Sequence, residues 1–225
     1  MKTLVRLLSA AALLALAGRA SALVIVDYAF SDQTDSSLAI TSPVQVSIPP
    51  GTIDGLIRVT YTSDSQGNIQ DGPATLDVLN MDAGLDVSSS FLNQPFTLTG
   101  PVSAHLLDPV DGELSGTQLS FGNAPGDFHA FGTITCTGTP CGAVHLPSGT
   151  PVPFDGTGSV SLPVLTLGSI HGTLTGLTFT VGSASIVATL TINGDETGRQ
   201  IPEPAAAALL TLAGSLLALR GRRRP

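Results

Sequence analysis

The 225-residue chain has no tryptophan, two tyrosines and two cysteines. Sugar-binding sites usually stack rings on Trp or Tyr faces, so a chain left with Tyr28 and Tyr61 is poor in that chemistry. Basic residues are scarcer still where a folded domain would lie. Between Leu23 and Gln200 only Arg58 and Arg199 are basic, against sixteen acids, which leaves this stretch at −14. Such a surface repels nucleic acid phosphates and anionic lipid, and a nucleic-acid partner is excluded on that ground. No G-x-S-x-G nucleophile elbow occurs. Ser169 and His171 sit in one strand-like segment, but neighbouring strand residues point to opposite faces, so Gly168-Ser169-Ile170-His171-Gly172 supplies no Ser–His dyad. The carboxylates could pair in a cleft as a glycosidase does, yet sixteen acids on one domain read more simply as a solvated coat. Nothing marks an enzyme, and no cofactor is called for.

Also missing between residues 23 and 200 is any 3.6-residue apolar period. What is present is short alternation of β-branched and polar residues, which half-buried strands require. The spacing predicts strands at Val24 to Phe30, Leu56 to Thr62, Ala74 to Met81, Phe96 to Thr99, Gln118 to Phe121, Phe131 to Cys136, Gly142 to Leu146 and Ser159 to Leu162, then through Thr173 to Ile192. Asp54-Gly55, Asp71-Gly72, Asp111-Gly112, Asp155-Gly156 and Asn193-Gly194 read as the turns between them. The expectation is one all-β, antiparallel domain over residues 23–200, closed as a β-sandwich, with a β-barrel as the alternative.

Cys136 and Cys141, separated by Thr-Gly-Thr-Pro, are expected to bridge across a hairpin, since an even pair in an exported chain favours a disulfide. The competing arrangement is a tetrahedral zinc site from His129, Cys136, Cys141 and His145, which the bridge would abolish; no metal is assigned. His105 and His171 read as surface or hydrogen-bonded residues. The oxygen-rich segments Asp64 to Asn68, Asp108 to Glu113 and Asn193 to Glu196 fit turn chemistry better than calcium loops.

The two ends differ from this middle. Lys2 and Arg6 precede an apolar run from Leu7 to Ala17, and Ala20-Ser21-Ala22 supplies the small-x-small pattern for signal peptidase. Residues 1–22 are therefore expected to form a signal helix, cleaved before Leu23. At the other end Ala205 to Leu219 is apolar and uncharged. As a helix it spans about 22 Å, marginal against the ~30 Å hydrocarbon core, and 205–219 is expected to be a transmembrane helix in the inner membrane. Arg220, Arg222, Arg223 and Arg224 follow and should stay cytoplasmic.

Pro202-Glu203-Pro204, then this apolar helix and the Arg-rich terminus, resembles the PEP-CTERM sorting domain over residues 201–225. The resemblance implies an exosortase partner in a Gram-negative bacterium that makes exopolysaccharide, and delivery to the cell surface or extracellular matrix. It says nothing about residues 23–200. The combined expectation is an exported, non-catalytic surface or exopolysaccharide-matrix protein, with a polysaccharide-binding or polysaccharide-cleaving module as the alternative.

Overall fold

A chain without a helical period must satisfy its buried backbone groups by pairing strands. The computed structural model describes residues 22–42, 46–47, 53–64, 68–122, 125–162 and 164–201. Its strands are β1 (Ala22–Ser31), β2 (Ser37–Ser42), β3 (Val46–Ser47), β4 (Ile53–Ser63), β5 (Ile69–Phe91), β6 (Gln94–Leu106) and β7 (Val110–Ser115). They continue with β8 (Gln118–Ser120), β9 (Pro125–Gly138), β10 (Pro151–Ser161), β11 (Val164–Thr166), β12 (Ser169–Val181) and β13 (Ala184–Gln200). Among the described residues the only helical elements are 3-10 turns at Asp32–Thr34 and Thr139–Val144. The expected signal helix and the hydrophobic helix 205–219 lie outside the described residues.

All the strands join one antiparallel sheet, and its ladder closes. The order β1, β4, β5, β6, β9, β10, β12, β13 returns to β1. A second path, β5–β7–β8–β11–β12, bridges the same wall along the other half of β5 and β12. The sandwich expected from the sequence is thus replaced by a continuous ring, the alternative arrangement. The physical reason is β13: one edge pairs with β12 from Ala184 to Asp195, and the other reaches β1 from Gly194 to Gln200. A strand bonded on both edges leaves no boundary where two sheets could separate.

The inner face is apolar. Val24, Val26, Tyr28 and Phe30 of β1 are buried, as are Ile57, Val59 and Tyr61 of β4. β-Bulges interrupt the alternation, among them one in β5 and one in β12. In β5 the buried set runs Ala74, Leu76 and then Leu79, Met81, Ala83, because Val59 pairs with Leu76 while Arg58 pairs with Val78, leaving Asp77 as the extra residue. In β12 Leu174 and Leu177 are both buried across a second register shift. A bulge inserts one residue and flips the parity downstream.

All five Asx-Gly pairs expected to be turns lie inside strands instead. Gly55 shows why. It faces Phe30 across β1 and β4, and a Cβ there would stand 2.0 Å from the Phe30 ring and 2.5 Å from the Asn80 carbonyl oxygen. The glycine makes room for an aromatic ring rather than a turn. The β5–β6 turn is made by Leu92 and Asn93, with φ of 51° and 61°, closing the pair Phe91–Gln94. This left-handed two-residue connection normally carries Asn-Gly, so its sequence signal is absent. The strand expected at Gly142 to Leu146 is also not formed. Pro140 opens the 3-10 turn Thr139–Val144, and His145 closes it in the left-handed region at φ 61°.

Gly55→Ala should therefore destabilise the domain by about 1–3 kcal/mol through overpacking. Gly156→Ala, where a Cβ meets nothing within 4 Å, should stay within about 0.5 kcal/mol. Urea unfolding midpoints of the two variants test the contrast; equal values would refute it.

Candidate functional surface

The void between Leu79, Met81, Ala104, Phe128, Val160 and Leu177 measures about 10 Å³, barely one water. One end of the core is polar. Where β13 runs beside β1 the register shifts between Asp27 and Tyr28, so Tyr28 pairs with Glu196 and Val26 with Arg199. Thr197 is the extra residue, and its hydroxyl donates to the Asp27 carbonyl oxygen at 3.2 Å. The bulge turns Glu196 and Arg199 to the same face, where they form a bidentate pair at 2.9 and 2.7 Å. Arg199 hydrogen bonds hold the Glu196 carboxyl below its ordinary range.

Beneath that pair lie both tyrosines. Burial pushes the Tyr28 hydroxyl up to about 12, against a lowering backbone hydrogen bond from Gly168. Burial likewise raises Tyr61, whose hydroxyl is buried without a hydrogen-bond partner. On the outer face, Arg58 meets Asp27 across β1 and β4 in a second bidentate pair at 2.7 and 3.0 Å, which depresses the Asp27 carboxyl. Both arginines between Leu23 and Gln200 are thus bound to carboxylates.

The rest of the outer wall carries acids, hydroxyls and one ring cluster. Asp54 stands opposite Asp82, a like-charge pair that should repel; the Ser103 hydroxyl donates to Asp82. Thr60 donates to Asp77 in the same way. Beside Ser103, His105 pairs with His129 across β6 and β9, their rings 5.1 Å apart edge to face. His129 stacks at 5.5 Å on Phe131, and its Nε2 lies 2.6 Å from Asp155 Oδ1 on β10. Phe131 is 40 % exposed, while the other described aromatic side chains of Phe and Tyr are buried.

Next to this cluster an open trough of about 480 Å³ runs over β9, β10 and β12, lined by Leu107, Asp127, Thr157, Ser159, Thr178 and Thr180. Asp127, Ser159 and Thr178 form one row across the three strands. His129 and Thr157 begin the next row, and Phe131 and Asp155 the one after.

The structure brings together only some of the residues singled out by sequence. Cys136 and Cys141 are bridged, with Cα atoms 5.8 Å apart, but Cys141 lies in the 3-10 turn rather than across a hairpin. Both cysteines are buried. Among the described residues no group of three His, Cys, Asp or Glu could hold a metal ion. His171 Nδ1 contacts the Asn193 side chain. Asp64 accepts from the Asn68 backbone and side chain, both at 2.9 Å. Ala22 pairs with Ser63 at the start of β1. Ala20, the sorting residues Pro202, Glu203 and Pro204, and Arg220, Arg222, Arg223 and Arg224 lie outside the described residues, and among the described ones no helix is long and apolar enough to cross a membrane. Sequence reasoning missed the His105–His129–Phe131 cluster. Its only trace was the outward parity shared by His129 and Phe131 in one strand.

No protein-family model matches the chain, and no curated protein does. Among solved structures it is similar to Ail, the attachment invasion locus protein of Yersinia pestis, at a TM-score of 0.29 and 8 % identity, covering 80 % of this chain and 97 % of that one. A likeness that weak carries no inference about function. The side-chain pattern is informative by itself: apolar residues face inward and Asp, Ser, Thr and His outward, the reverse of a lipid-facing barrel.

Two titrations follow from these surroundings. The Asp27 and Glu196 carboxyls lie below their unfolded values of roughly 3.9 and 4.3, so their contribution is present above about pH 5 and is lost as pH falls through the depressed folded values. Both pairs are partly exposed, so each contributes about 1 kcal/mol or less. Asp27→Asn should lower stability at neutral pH by that amount and flatten the acid loss, read from urea midpoints at stepped pH. An unchanged acid profile would count against the pair.

The tyrosines act at the other extreme. Their folded values are raised, so their contribution is complete below about pH 10 and fades as pH rises through those values. Phenolate absorbance should stay low until the barrel unfolds, and Tyr61→Phe should be neutral or stabilising because it removes an unpartnered buried hydroxyl. A phenolate signal in folded protein at about pH 10 would show that the rings are not buried.

Proposed function

We propose that this chain is an exported, non-catalytic protein of the cell surface or exopolysaccharide matrix of a Gram-negative bacterium, delivered by a PEP-CTERM-type tail that exosortase processes. The observation that carries the non-catalytic part is the outer wall. It is a closed ladder dressed in carboxylates and hydroxyls, with its arginine, Arg58, spent on Asp27. The buried Cys136–Cys141 bridge agrees with an oxidising destination.

The strand pairing supports the two-signal reading. Ile25 pairs with Gln200, so the end that follows the signal segment and the end that precedes the sorting tail leave the barrel side by side. Signal peptidase and exosortase would then work at one pole of the same folded domain.

The exported protein should begin Leu23-Val24-Ile25 and lack its Arg-rich terminus in cells that contain exosortase. Replacing Pro202-Glu203-Pro204 by alanines should leave membrane insertion intact and block release. Fractionation with mass analysis of the C-terminal peptide, with and without exosortase, decides it. A surface-exposed form still carrying Arg224 would reduce the tail to an anchor.

A further inference from the structure

We infer that the trough over β9, β10 and β12 is a binding site for a neutral glycan chain, a partner class that deepens, and rests on, the matrix reading above. The location follows from an incomplete seam. β10 pairs with β9 along its whole length from Pro151 to Ser161, but with β12 only through Ser159 and Ser161. At the crossing the two backbones touch: a Cβ on Gly158 would stand 2.0 Å from the Thr178 carbonyl oxygen. The stretch from Val152 to Gly158 is about 20 Å of strand at ~3.3 Å per residue, and a Cβ on Gly182 would meet Val152 at its far end at 3.6 Å.

The chemistry of the walls selects the occupant. Thr157, Ser159 and Thr180 present hydroxyls that both donate and accept; Thr178, whose hydroxyl donates to the Gly176 carbonyl at 3.0 Å, and Asp127 add acceptors. Sugar hydroxyls have the same dual character. Leu107, 44 % exposed, lines the trough as an apolar patch for the C–H faces of sugar rings, and Phe131 offers a second, beyond the row of His129 and Thr157. At about 480 Å³ the trough has the size of a ligand site, and it is open to solvent, as a site crossed by a polymer must be. The charge rules out acidic polymers, because the domain is strongly negative and both arginines are committed. An extended peptide adding to the β10 edge is disfavoured by Pro151 and Pro153, which lack the N–H that strand addition needs.

The test uses the full chain in neutral detergent, titrated with neutral glucan, mannan and galactan hexasaccharides, an alginate hexasaccharide and an extended ten-residue peptide. At least one neutral hexasaccharide should bind. Thr180→Arg, which fills the trough, and Phe131→Ala should each weaken it ten-fold or more with the unfolding midpoint unchanged. Asp127→Asn, nearly isosteric, should weaken it measurably and guards against a variant that fails to fold. Failure of every neutral glycan to bind, indifference to all three substitutions, or preference for alginate or the peptide would overturn the proposal. Tail processing, read by mass on the same samples, is independent: normal processing without glycan binding removes only the trough, and glycan binding on an unprocessed chain removes only the sorting.

Discussion

The ladder between the first and last strands of the barrel is the constraint from which the rest of the architecture follows. β13 must meet β12 on one edge and β1 and β2 on the other, and only then does the ring have no open end. This pairing joins residues some 170 positions apart, as in the Thr197–Asp27 hydrogen bond. Such long-range closure is slow to form and is gained only after nearer pairs have ordered the chain. The bulge at Thr197 adjusts the seam: it delivers Glu196 and Arg199 to the same face, where they cover Tyr28 and Tyr61. A regular strand would have pointed the two side chains to opposite faces.

Strand content was legible because alternation is a local property. Val24 to Phe30 and Leu56 to Thr62 fall inside β1 and β4. Closure was not legible, since nothing in β1 names β13 as its partner. The bulges at Asp77 and within β12 cut long strands into apparent fragments by reversing parity, so the 23-residue β5 reads as a much shorter segment. Glycine misled for a related reason. Next to Asp or Asn it looks like a turn, but Gly55, Gly112 and Gly194 are needed where a Cβ would strike a neighbouring strand. In a closed wall the need for close approach outweighs the need for positive φ.

At the surface, charge was legible and arrangement was not. Counting residues sufficed to show an acidic exterior, but not that hydroxyls would be spent on it. Thr60, Thr75 and Ser103 each donate to an aspartate on a neighbouring strand. Asp54 and Asp82 face each other across β4 and β5, and the Ser103 hydrogen bond to Asp82 offsets part of that repulsion. The abundance of Ser and Thr is therefore coupled to the shortage of Lys and Arg. The same coupling hides the trough: Ser159 and Thr178 look like ordinary strand residues until the pairing of β9, β10 and β12 sets them in one row with Asp127.

The seam also bears on where a processing enzyme could cut. β13 remains paired up to Gln200, opposite Ile25, and Pro202 follows two residues later. A cut inside Glu196 to Gln200 would remove Arg199 from Glu196 and open the ladder over the tyrosines. A cut at or beyond Pro202 leaves every β1–β13 pair in place. Proline at 202 and 204 supplies no ladder N–H, so β13 finds no backbone donor there with which to extend its pairing to β1.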